Sequence, residues 1–202
     1  GSEGYLAGTD VLEIRYADSN ITLQANLQPN QVYVRSNFID GRIFVGATQP
    51  VIDSFDSSDL TLNHELHAYA YYISNYTDDI NDGIPSLRRV SLVNGPVLQN
   101  QTLISGVFDL QVQLGIDVDG IKDIDGNVTI DRYVNPDVVT DWTAVYAAKV
   151  WLLMRSDERQ RGIDTTKSYA IAGAAAQNFG GQDDFRYFLV TSVVNLRNLK
   201  QL

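Results

Sequence analysis

The sequence predicts an α+β fold that is mostly β: antiparallel sheets built from hairpins, with about ten strands and two or three short helices. Three observations carry this. Apolar, β-branched and aromatic residues alternate or form short solid runs at residues 11–16, 67–74, 87–93, 101–116, 144–154 and 185–196. Clusters of Asp, Asn, Gly and Pro separate those runs. A helix start is written at Asn135-Pro136-Asp137.

Taken in order, residues 11–16 alternate, and residues 21–24 follow the polar Ala17-Asp18-Ser19-Asn20, which reads as a hairpin. Residues 32–34 and 42–46 are short strands joined around Asp40-Gly41. Residues 47–65, with Pro50 and the Asp/Ser run at 53–59, read as a long surface loop. Residues 67–74 form a tyrosine-rich strand, 77–83 a turn, and 87–93 the return strand, ended by Asn94-Gly95-Pro96. Residues 101–116 hold one or two strands, with a kink or bulge at Gly106. Asn135 is placed as N-cap and Pro136 as first residue of a helix of one or two turns running to Trp142. The alanines of 144–154 suit a helix, but Val145, Tyr146, Val150 and Trp151 favour a strand. Residues 156–184 read as a loop and 185–196 as the last strand. The strands centred on residues 70, 110, 150 and 190 are expected to supply the core. No linker or repeat divides the chain, so a single domain over 1–202 is expected, with Gly1-Ser2 read as a cloning scar.

Composition narrows the function. Hydrophobic residues are 44% and charged residues 20%, the balance of a folded globular chain. A net charge of −10 repels a phosphate backbone, which argues against a nucleic-acid partner. With no cysteine there are no disulfides or thiolate metal sites, and two histidines are too few for a His-rich zinc centre. No apolar run reaches the roughly 18 residues of a membrane span. Neither a Gly-x-Ser-x-Gly elbow nor a phosphate-binding loop occurs. With 25 acidic residues, carboxylate pairs arise by chance. No enzyme, no required cofactor and no small-molecule substrate are expected.

One segment carries candidate metal chemistry. Asp117, Asp119, Asp123, Asp125 and Asp131, with Asn127, offer hard oxygens of the kind calcium needs. The spacing is not that of an EF-hand, because Ile121 or Val128 falls where the motif needs a ligand or glycine. A calcium site and a plain Asp-rich hairpin turn both remain open readings. Asp78, Asp79, Asn81 and Asp82 form a second acidic turn. In His64-Glu65-Leu66-His67 the two imidazoles lie three apart on a segment leading into a strand, where such positions face opposite ways. Alternation places Tyr69 and Tyr71 on one face and Tyr72 on the other; packing is preferred over sugar stacking for them. Arg88-Arg89 and Arg159/Arg161 read as solvated basic spots. Asn20, Asn75, Asn100 and Asn127 open Asn-x-Ser/Thr triplets, which would matter in a eukaryotic secreted protein.

Several segments, in order, resemble the PilW family of type IV pilus minor pilins. Residues 8–16 resemble the start of the family's soluble domain, and Tyr71-Tyr72-Ile73 with residues 83–89 its middle hairpin. Residues 103–120 followed by Asp131-Arg132-Tyr133-Val134 are the best match. Residues 142–156 resemble the next strand, and residues 183–186 through 194–198 the family's ending. The resemblance implies a pilin-like globular domain and a prepilin, cleaved by a dedicated peptidase and anchored in the inner membrane by an N-terminal helix lying before residue 1. The domain would be periplasmic before assembly and part of a cell-surface pilus after it. Implied partners are other minor pilins and the major pilin, in a complex that primes the fibre for pilus-dependent adhesion and twitching. The alternatives are a PulJ/GspJ-type minor pseudopilin of type II secretion, a calcium-dependent surface adhesin and a carboxylate-based hydrolase.

Overall fold

This computed structural model describes residues 4–54, 60–163, 167–178 and 184–196, and among them are twelve β-strands and four single turns of 3-10 helix. The strands are β1 (Leu12–Ile21), β2 (Val32–Ser36), β3 (Gly41–Val45), β4 (Leu62–Ser74), β5 (Ser86–Val93), β6 (Val97–Ser105), β7 (Val107–Ile116), β8 (Arg132–Val134), β9 (Val145–Arg155), β10 (Ser168–Tyr169), β11 (Gln177–Asn178) and β12 (Tyr187–Asn195). One sheet has the order β3-β2-β4-β5-β6, with β1 also paired to β4. A second has the order β12-β9-β7-β8, and β10 pairs with β11. The antiparallel, mostly β expectation holds.

The α+β assignment does not. Among the described residues there is no α-helix, only three-residue 3-10 turns at Gln24–Asn26, Gly46–Thr48, Pro136–Val138 and Trp142–Ala144. The helix expected from Asn135 to Trp142 stops after one such turn. Pro136 sits at its start as expected, but the Asn135 side chain makes no capping bond. It accepts instead from Gln113 Nε2 at 3.1 Å. Val138, Val139 and Thr140 are β-branched and lose rotamer freedom in a helix. Among the described residues no helix is long and apolar enough to cross a membrane.

The hairpin expected within 11–24 is one continuous strand. β1 pairs with β4 from Leu12↔Tyr71 to Ala17↔Leu66 and resumes at Ile21↔His64. Asp18, Ser19 and Asn20 form the irregularity between, and Asp18 Oδ1 accepts from the Asn20 backbone N at 2.7 Å. The chain bulges without reversing because thirteen-residue β4 offers a ladder along the full length of β1. β4 begins at Leu62, inside the expected 47–65 loop, of which residues 55–59 lie outside the described residues. β10 and β11 interrupt the expected 156–184 loop; residues 164–166 and 179–183 of it are likewise outside the described residues.

The chain forms two compact units: the described residues of Gly1–Val11, Tyr72–Leu87 and Thr102–Leu202, and those of Leu12–Tyr71 and Arg88–Gln101. In the first, β7 and β9 pair over almost their whole length and bury Val107, Leu110, Val112, Val145, Ala147 and Leu153. Leu153, Ile171, Phe185 and Tyr187 form one cluster beside them. β12 adds Tyr187 to this core, but its residues 191–195 are exposed, contrary to the expectation of a core strand centred on 190. Gly106 separates β6 from β7 with φ of 74°, and a Cβ there would lie 2.3 Å from the Arg155 carbonyl oxygen. Only glycine fits that approach. The second unit buries Val32, Tyr33 and Phe44. Residues 64–71 of β4 stay half-exposed in it.

Candidate assembly surface and acidic loop

The acidic loop is positioned by the β7–β8 ladder. Ile116 pairs with Arg132, so Asp117 and Asp131 flank the mouth of that ladder. One carboxylate oxygen each from Asp117, Asp119 and Asp131 lies within 4.8 Å of the others. Asp117 is buried, while Asp119 and Asp131 are exposed. Asp131 Oδ2 accepts from the backbone N of Val118 at 2.6 Å and of Asp119 at 3.3 Å. Asp117 Oδ1 accepts from Gly120 N at 2.7 Å, and Asp119 Oδ1 from Ile121 N at 2.8 Å.

Asp123 and Asp125 are not part of that group. They sit in a tip turn where Asp123 Oδ1 accepts from Asp125 N at 2.9 Å and from Asn127 N at 2.7 Å. Five aspartates adjacent in sequence therefore divide into a base triad and a tip turn. Each triad carboxylate already serves a backbone N–H, the arrangement of an Asp-rich turn. The same three carboxylates offer a partial shell for a hard cation, short of the six to eight oxygens calcium takes.

The other singled-out residues are tied into local structure. Asp82 accepts from Ile84 N at 2.8 Å and from the Thr77 hydroxyl, and that hydroxyl bond holds its carboxyl below the usual range. Asp79 caps Asn81 N at 3.0 Å. His64 Nδ1 lies 2.8 Å from the Asp18 carbonyl oxygen, and His67 Nε2 lies 3.3 Å from Asp18 Oδ2. Arg159 lies over the Phe185 ring rather than being merely solvated.

The surface that sequence reasoning missed is the free side of β12. All nine of its residues pair with β9, from Tyr187↔Arg155 to Asn195↔Ala147. It ends the order of its sheet, so among the described residues its other side is an open edge. Phe188, Val190, Val193 and Val194 are 42–52% exposed along it. A long apolar edge is a template for strand addition by another chain, and proteins with no use for one blunt it with charge, proline or a bulge. None of these stands within β12. The run 185–196 was readable as a strand, but whether its neighbours covered one side or two was not.

An exposed apolar edge of this length is a surface to which another chain can add a strand. The chain matches the family described as Type IV Pilus-assembly protein W, PilW, over residues 70–198. It belongs to that family, and its role lies in assembly of the type IV pilus at the cell envelope. Comparisons with curated proteins and with solved structures gave no match. The matched span takes in the acidic loop and the whole of β12.

Proposed function

We propose that the chain is a structural minor pilin, a subunit of a minor-pilin complex that primes type IV pilus assembly, and that it joins a neighbouring subunit through the open edge of β12. The single observation that supports this most is that edge: nine residues, four of them exposed apolar side chains, in a family whose work is pilus assembly. The mechanism is nucleation. Subunits docked in advance lower the barrier to adding the first major pilins, and no residue acts as a catalyst. In this reading the protein is held at the inner membrane before assembly and on the pilus after it. The test is complementation of a deletion strain with the wild type and with Val193→Asp, which sets a charge on the exposed edge.

A further inference from the structure

We propose that the open sheet face formed by β1, β4, β5 and β6 binds a neutral oligosaccharide, seated in the groove over Tyr69 and Arg89. The groove has a volume of about 470 Å³, within the size range of small-ligand sites. Its floor is aromatic. His67 and Tyr69 follow each other on β4 with ring centroids 6.3 Å apart and planes 9° apart. Across the strand pair, Tyr16 stacks on His67 at 4.9 Å and reaches Tyr69 at 6.3 Å. Tyr16 is 45% exposed and lies beside the groove, extending the aromatic surface past the half-buried His67 and Tyr69 that line it. The His67 and Tyr69 rings are near-parallel and Tyr16 is inclined to them by 28° and 37°, a shallow aromatic cradle for the apolar C–H face of a sugar ring, which gains by leaving water.

The walls are polar in a mixed way. Gln31, Gln99 and Gln101 line the groove with amides, each both donor and acceptor, as sugar hydroxyls are. Gln31 Nε2 holds Glu65 Oε1 at 2.8 Å, leaving further acceptor positions on that carboxylate. Two atoms lining the groove from beneath its surface make no hydrogen bond among the described residues. The Arg89 guanidinium lies 5.2 Å from the Tyr69 ring centroid, and its buried Nε has no hydrogen-bond partner among the described residues. Ser91 is 6% exposed, and its hydroxyl also has none. Arg89 faces Glu65 here, and Asp18 lies against His67, so with the chain at −10 overall the groove has no excess of cations and its complement is a neutral ligand rather than an acidic one.

The test applies the full chain to an array of neutral and acidic oligosaccharides, then measures the best-retained neutral one by titration calorimetry. Neutral oligosaccharides are expected to be retained, and Tyr16→Ala and Arg89→Gln each to weaken binding by roughly tenfold or more with circular dichroism unchanged. Should Arg89→Gln disturb the fold, Gln101→Ala takes its place. Val193→Asp is expected to bind sugar normally, which separates this site from the assembly edge. Retention of no neutral oligosaccharide, retention of acidic ones alone, or binding that survives both substitutions would overturn the assignment.

Discussion

Asp131 shows how much one carboxylate can organise. It closes the mouth of the β7–β8 ladder by accepting from Val118 N and Asp119 N. Asparagine keeps a carbonyl oxygen in the same place, so Asp131→Asn is expected to leave the melting temperature nearly unchanged. Asp131→Ala is expected to cost about 1 kcal/mol, or roughly 2–4 °C. A calcium role would give another pattern: both substitutions would abolish a calcium-dependent rise in melting temperature. Thermal melts of the three proteins with calcium chloride and with chelator separate the two. Asp109 is a different case. It is half-buried, and burial pushes its carboxyl above the ordinary range, with Asp10 adding to the rise and Gln111 opposing it. The folded chain therefore binds the proton more tightly than the unfolded chain, and stability falls as pH rises from the unfolded value through the raised folded one. Asp109→Asn can still accept from Gln111, so it is expected to raise the melting temperature at neutral pH and to flatten that dependence. A melt series from acid to neutral pH checks it.

Strands were legible where the signal is local. The runs rich in aromatic and β-branched residues at 67–74, 87–93 and 144–154 became strands because that preference is a property of residues close in sequence. Misreadings arose where the outcome depends on a distant partner. Asp18-Ser19-Asn20 has the composition of a turn and of a bulge alike, and β4 decides between them. Asn135 has the chemistry of a helix cap, but Gln113 takes its side chain. The five aspartates gave the right loop without the grouping, because the β7–β8 register selects which of them meet. Gly106 was read as a kink from its place within an apolar run, and its positive φ gives the reason. Gly106→Ala would put a Cβ against the Arg155 carbonyl in a left-handed backbone, and is expected to cost about 2–3 kcal/mol. A fall on the order of 5–10 °C in the melting temperature is the check.

At the scale of the whole molecule, the sequence excluded more than it assigned. Its acidity, its lack of cysteine and its lack of phosphate or nucleophile motifs all pointed away from nucleic acid and catalysis and toward surfaces. Which surface is free depends on sheet order, and only the structure supplies that: β12 stands at the end of its sheet, with exposed valines on a strand that reads like a core element. The measurement that bears most directly on the account is the surface pilus count in a deletion strain carrying the wild type or Val193→Asp, each with and without the retraction motor. Pili restored by the wild type but not by a folded Val193→Asp, with partial recovery when retraction is removed, is the result expected of a priming subunit that docks through β12. Pilus numbers unchanged by the deletion, or fully restored by Val193→Asp, would contradict it.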